Sequence, residues 1–244
     1  MKILQFALIL CGCTILMNSC KKDPVDVADD NQYSTAAATN KCDYSPYSVG
    51  STFTFEIANK DYFTDKWSYV ENRGNMTGYQ DIGGKKYTVG TGFFPQDSSI
   101  KASEGFIRCD ATGMYVLAKG LNNGKDFELP LLQFPITKSK AWKSTPITIT
   151  QNGASTINQY TFKVANTGLK RKVKNNTFND VIEMDESLIA TSQFSGQTIT
   201  QEIAYKRYYD KKLGIIETIF FLDDPFTGVK DTAFVSRLVS YSIK

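Results

Sequence analysis

The sequence predicts an all-β fold: an antiparallel meander forming a curved sheet, half-barrel or barrel-like domain, placed after a signal peptide and a flexible tether. Three observations carry this. Apolar residues alternate at period two in short runs, as at Phe53, Phe55 and Ile57. Turn residues punctuate the runs at short spacing, among them Gly83-Gly84, Asn152-Gly153 and Asn175-Asn176. No stretch after the first twenty or so residues carries a helical stripe. Many short strands with Gly and Asn turns read as an antiparallel barrel, half-barrel or sandwich.

The elements follow in order. Ser51–Ile57 and Lys66–Val70 read as strands, Asn75–Gly78 as a turn region, and Gly83-Gly84 as a turn into Lys85–Val89. Phe106–Cys109 and Met114–Ala118 form a hairpin around Asp110–Gly113. Leu121–Pro135 is the least regular part and the expected crossover between two similar halves, a joint near 120–135. Within it, Leu129–Pro135 reads as an edge strand or a covering loop, because proline donates no hydrogen bond to a ladder. Ile147–Thr150 and Tyr160–Val164 pair about Asn152-Gly153, which suits a type I′ turn. Thr167-Gly168 and Asn175-Asn176 are expected turns, and Leu213-Gly214 precedes Ile215–Leu222. Asp223–Gly228 is a loop, and Thr232–Val235 with Arg237–Ile243 end the pattern.

Residues 1–19 have the plan of a secretory signal: Lys2, an apolar run over Ile3–Met17, then small polar residues before Cys20. The apolar run is shorter than the roughly 20 residues of a membrane span. Leu10-Cys11-Gly12-Cys13 also fits a lipobox, but only Cys20 keeps the apolar core whole. The ending Ser19-Cys20-Lys21-Lys22-Asp23 resembles envelope lipoproteins of the Bacteroidota. That resemblance implies lipidation of Cys20 by acyl chains such as palmitate, and attachment to a membrane of the cell envelope, expected to be the outer one with the leaflet open. Residues 20–40 form the expected tether, Asp-rich and then Ser34–Thr39, too poor in large apolar residues to pack. Residues 41–244 form the expected single all-β domain.

Composition narrows the chemistry. The chain is 41% hydrophobic and 13% aromatic, enough for a sizeable core, and its formal charge of +3 is too small to name nucleic acid as a partner. It contains no histidine, so a Ser-His-Asp or Cys-His relay is excluded, and so is His-ligated metal. No cofactor or metal site is expected. With Cys11 and Cys13 in the signal and Cys20 acylated, Cys42 and Cys109 remain in the domain, as a disulfide or as two buried thiols.

Thr177–Ile182, followed by Tyr208-Tyr209-Asp210-Lys211-Lys212-Leu213-Gly214-Ile215-Ile216-Glu217, resembles a pattern in uncharacterised exported bacterial proteins with half-barrel antiparallel sheets. The resemblance implies a meander and no catalytic residue.

Glu183, Asp185 and Glu186 could serve acid–base or glycosidic chemistry if two of them shared a cleft. The plain alternative is the solvent face of a strand with Ile182 and Met184 inward. Lys170, Arg171, Lys172 and Lys174, joined by Lys206, Arg207, Lys211 and Lys212, could meet an anionic glycan or lipid headgroup; lysines also simply protect sheet edges. Trp67, Trp142 and Tyr208 are candidates to line a ligand groove, although in a sheet such residues are more often core. The expected function is a non-catalytic binding or interaction module for an unknown protein, glycan or lipid partner. The alternatives are a carrier of a lipid-like molecule in a concave sheet and, last, a carboxylate-dependent hydrolase.

Overall fold

Period-two alternation becomes one antiparallel sheet of thirteen strands in the computed structural model. The structure describes residues 47–93, 103–151, 154–194, 197–223 and 228–244. The first six strands are β1 (Thr52–Asp61), β2 (Lys66–Ile82), β3 (Lys85–Phe93), β4 (Ser103–Asp110), β5 (Gly113–Asn122) and β6 (Lys125–Gln133). Then come β7 (Ala141–Lys143), β8 (Ile147–Gln151), β9 (Ala154–Val173), β10 (Asn176–Phe194), β11 (Gln197–Asp210), β12 (Gly214–Asp223) and β13 (Lys230–Ser242).

The spatial order runs from β6 through β5, β4, β3 and β2 to β1, then from β13 down to β9 and β7, with β8 also paired to β9. Two meanders therefore join where β1 pairs with β13, Ile57 opposite Ser236. The chain leaves one edge after Gln133 and enters the other at Ala141. Lys140 Nζ pins this connection by donating to the Gln133 and Pro135 carbonyls, each at 3.0 Å.

The sheet rolls until its two edges meet, and side chains bridge the seam. Trp142 Nε1 donates to the Pro130 carbonyl at 2.8 Å. The Thr148 and Thr150 amides donate to Asn122 Oδ1 and Asn123 Oδ1 at 3.1 and 2.9 Å. These amide oxygens stand where a neighbouring strand's carbonyls would, so polar groups of β8 find partners without a ladder. Pro130 suits its strand for that edge, having no N–H to satisfy.

Long strands let the far end of the β9–β10 hairpin fold over the outside of the roll. Leu169, Val173 and Phe178 from the hairpin join Ile219 and Val235 in one buried cluster. Arg171 Nη2 meets Glu217 at 2.6 Å, Arg237 Nε meets the other Glu217 oxygen at 2.8 Å, and Lys174 reaches Glu56 at 2.6 Å. A second cluster under the seam contains Trp142, Phe162, Met184 and Tyr209.

Four expectations need correction. Ile147–Thr150 does not pair with Tyr160–Val164: β8 pairs with residues 154–158 at the start of β9, and residues 161–163 pair with β7, because β9 is long enough to carry both short strands in turn. Asn75–Gly78 is not a turn; β2 runs through it with a bulge between Met76 and Gly78. Thr167-Gly168 is not a turn either: β9 continues, and Gly168 takes a positive φ of 71° where the register with β10 shifts. In both places glycine absorbs an irregularity inside a strand, which local sequence cannot distinguish from a chain reversal. Leu121–Pro135 is mostly regular, with a tight turn at Asn123-Gly124 leading into β6. Gly83-Gly84, Asp110–Gly113 and Leu213-Gly214 lie at strand connections as expected.

Candidate functional site

The rolled sheet forms a cavity of about 490 Å³, open to solvent on one side. That lies within the roughly 300–1,000 Å³ usual for small-molecule sites. One wall is nearly bare backbone. Gly74 on β2 pairs with Gly92 on β3, and Gly90 pairs with Gly105 on β4; all four glycines face the cavity. None has the positive φ that would demand glycine. A Cβ added at Gly74 or Gly105 would meet only a carbonyl oxygen, at 3.9 and 4.0 Å. These two glycines supply room, at a cost of about 0.5–1 kcal/mol each relative to alanine in a strand. Gly90 differs, because the Met76 side chain already lies over it, with Cε 2.8 Å from where a Cβ would stand.

Apolar side chains from both meanders extend the lining, including Phe55 and Ile57 of β1, Val116 of β5, Leu129 of β6 and Phe234 of β13. Tyr47 closes the end by which the chain enters β1, its ring edge-on to Phe53 at 5.7 Å. Burial pushes its hydroxyl up to about 12, partly opposed by a hydrogen bond with the Ile215 backbone and by the charge of Arg207.

The wall formed by β10 to β13 carries a polar stripe. Arg207, Thr218 and Ser236 are neighbours in register across β11, β12 and β13. Arg207 Nη1 donates to Glu186 Oε2 of β10 at 2.7 Å and to the Tyr209 hydroxyl at 3.3 Å. Its Nε donates to Thr218 Oγ1 at 3.4 Å, and the Tyr209 hydroxyl donates to Glu186 Oε1 at 3.4 Å. Glu186 and Arg207 are only 7% and 8% exposed. Burial raises the Glu186 carboxyl above its ordinary value, with Arg207 and Tyr209 opposing. The arrangement can hold an apolar body against the glycine wall and offer hydrogen bonds from one side.

The residues singled out from sequence fall elsewhere: none of Trp67, Trp142 and Tyr208 lines the cavity. Trp142 is buried at the seam, stacked on Phe162 at 5.4 Å. Tyr208 points to the outer face, donating to Glu183 Oε1 at 3.2 Å beneath the Arg171 guanidinium, which lies 3.8 Å from its ring centre. Trp67 packs against the outer cluster. Cys20 and Cys42 lie outside the described residues. Cys109 is disulfide-bonded, and its partner is not among the described residues.

The acidic trio divides between faces. Glu186 points inward, whereas Glu183 is held on the outer face by Lys206 at 2.9 Å and Asn166 at 2.7 Å. Burial opposes ionisation of Glu183, but those two partners and Tyr208 outweigh it and lower its carboxyl. Half of the basic run is committed to carboxylates: Arg171, Lys174, Lys206 and Arg207 each hold one. Among the described residues no group of His, Cys, Asp and Glu is placed to hold a metal ion. Sequence reasoning put Arg207 in a basic surface run rather than in the cavity wall, and it missed the cavity glycines. The alternation Ile203, Tyr205, Arg207, Tyr209 was the available signal that Arg207 faces inward.

No family model and no curated protein matches the chain. Its structure is similar to two solved ones. A protein from Bacteroides fragilis, inferred to be exported and having a YmcC-like fold, aligns with 80% of this chain and 96% of its own, at 10% identity and a TM-score of 0.42. A protein from Parabacteroides distasonis, inferred to be a lipoprotein, aligns with 82% of this chain and 98% of its own, at 11% identity and a TM-score of 0.44.

Proposed function

We propose that this chain is an exported, lipid-anchored, non-catalytic protein that holds an apolar molecule inside its rolled sheet. The observation that carries the reading is the cavity of about 490 Å³ with its glycine wall. A module that binds only at its surface has no use for such a space, and larger residues at Gly74 and Gly105 would close it without backbone strain. This ranks the carrier above the pure interaction module. Export and anchoring rest on the signal pattern and Cys20, which would place the domain in the envelope beside a lipid source. A hydrolase ranks last, because Glu183 and Glu186 face opposite sides of β10 and each is already held by a cation.

The test uses the mature chain, residues 20–244 with Cys20→Ser, secreted from a heterologous signal. It should enhance the fluorescence of the neutral apolar probe N-phenyl-1-naphthylamine saturably. Gly105→Leu, which puts a side chain into the cavity, should keep the circular dichroism of the parent and lose at least about tenfold in probe affinity, or about 1.4 kcal/mol. Undiminished binding by a folded Gly105→Leu protein would refute the cavity as the site.

A further inference from the structure

The polar stripe says what kind of molecule the cavity suits. We infer that the ligand is an amphiphile whose buried polar group is uncharged, an ester, amide or hydroxyl on an apolar chain, and that free carboxylates are disfavoured. This rests on the carrier reading above.

The stripe is neutral as a unit. One carboxylate and one guanidinium meet at 2.7 Å, both more than nine-tenths buried. Arg207 already directs Nη1 to Glu186 and to Tyr209, and Nε to Thr218. An entering carboxylate would compete with Glu186 for the same cation. It would also bring a second negative charge beside the buried Glu186, where little water screens the repulsion of like charges. An entering cation would meet Arg207 in the same way. Neutral groups face neither obstacle. The Thr218 and Ser236 hydroxyls and the Asn72 amide line the same cavity, and each can donate or accept. The charged side chains elsewhere on the lining, Glu104 and Lys119, are exposed and remain solvated. The pair therefore acts as a filter: it keeps the wall polar without leaving a net charge for an ion to answer.

The experiment is competition against the bound naphthylamine probe, with ligands of one chain length used below their micellar concentrations: monolaurin, lauryl alcohol and laurate. At neutral pH, monolaurin or lauryl alcohol should displace the probe at least about tenfold more effectively than laurate. Equal or better displacement by laurate would overturn the inference and leave the carrier reading standing. Failure of every amphiphile to displace the probe would overturn both. Glu186→Gln removes the competing carboxylate and leaves the cation, so the ratio should swing towards laurate by at least about tenfold; an unchanged ratio in folded protein would overturn the assignment of the pair as the filter. Should Glu186→Gln not fold, Ser236→Ala preserves the charge balance. It should weaken monolaurin several-fold while leaving laurate unchanged, and equal weakening of both would count against the inference.

Discussion

Arg207 and Glu186 meet across the wall of an apolar cavity, guanidinium Nη1 to carboxylate Oε2 at 2.7 Å, on adjacent strands. A buried pair of this kind is costly to break and not necessarily costly to replace. Removing one partner leaves the other charge without compensation, at about 3–5 kcal/mol, whereas an apolar pair of similar volume can be near neutral. We expect Arg207→Met to lower the unfolding free energy by about 3 kcal/mol or more. The double variant Arg207→Met/Glu186→Leu should recover most of that loss. Urea unfolding of the parent, Arg207→Met, Glu186→Leu and the double variant measures the cycle, and simple additivity of the single losses would contradict the pairing.

Gly105 and Gly113 lie on neighbouring strands and should respond oppositely to the same substitution. A Cβ on Gly105 enters open cavity, while one on Gly113 would overlap the Leu132 carbonyl oxygen. Gly105→Ala should be neutral or stabilising by up to about 1 kcal/mol, from the reduced freedom of the unfolded chain. Gly113→Ala must push two backbones apart and should cost about 3 kcal/mol or more, as overpacking against an unyielding group does. Thermal melts of the two proteins decide it.

At the seam, Asn122 substitutes for a strand. Its Oδ1 accepts from the Thr148 amide at 3.1 Å. Asn122→Ala leaves that N–H to water or to nothing, at about 1–3 kcal/mol if it stays buried. Hydrogen exchange should speed up at Thr148 and its neighbours on β8 while the β1–β13 pairing, midway between the two edges, is unaffected. Uniform acceleration would mean that the seam is not a separate opening unit.

On the outside of the first meander, Glu128 gathers three donors: Arg108 Nε at 2.5 Å, Lys85 Nζ at 2.7 Å and the Tyr87 hydroxyl at 2.6 Å. Burial opposes its ionisation, but those hydrogen bonds prevail and bring the carboxyl from an ordinary 4.5 to about 2. Since the folded value is the lower one, its stabilisation is present above pH 4.5 and is lost as the pH falls towards 2. Glu186 acts with the opposite sign, because its value is raised by folding and its contribution weakens as the pH rises. Glu128→Gln should therefore flatten the acid limb of the stability profile, and an unchanged limb would show that other carboxylates carry it.

How much of this was legible depended on whether the signal was local. Alternation at Phe53, Phe55 and Ile57 and the paired turn residues Gly83-Gly84 state the strand and the reversal in the same few residues, and the structure places them so; at Asn175-Asn176 the reversal falls one residue earlier, on Lys174-Asn175, and Asn176 already begins β10. Gly78 and Gly168 carry the same letter but sit at bulges, because their strands have partners long enough to continue past them. The cavity was harder still. Gly74, Gly90, Gly92 and Gly105 make a wall only once β2, β3 and β4 lie side by side, a fact of register rather than of composition. Arg207 read as part of a basic run because Lys206 precedes it, although its period-two partners Tyr205 and Tyr209 mark the inward face. Trp142 drew attention as an aromatic, and its work is to close the roll.

The most direct measurement is native mass spectrometry of the mature chain, residues 20–244 with Cys20→Ser, purified without detergent from a bacterial envelope, followed by organic extraction of any bound molecule. The account predicts one neutral amphiphile at close to one per chain, absent from Gly105→Leu protein prepared alongside. A parent protein that carries nothing across several lipid-replete preparations, or that carries the same molecule as its cavity-filled variant, would contradict it.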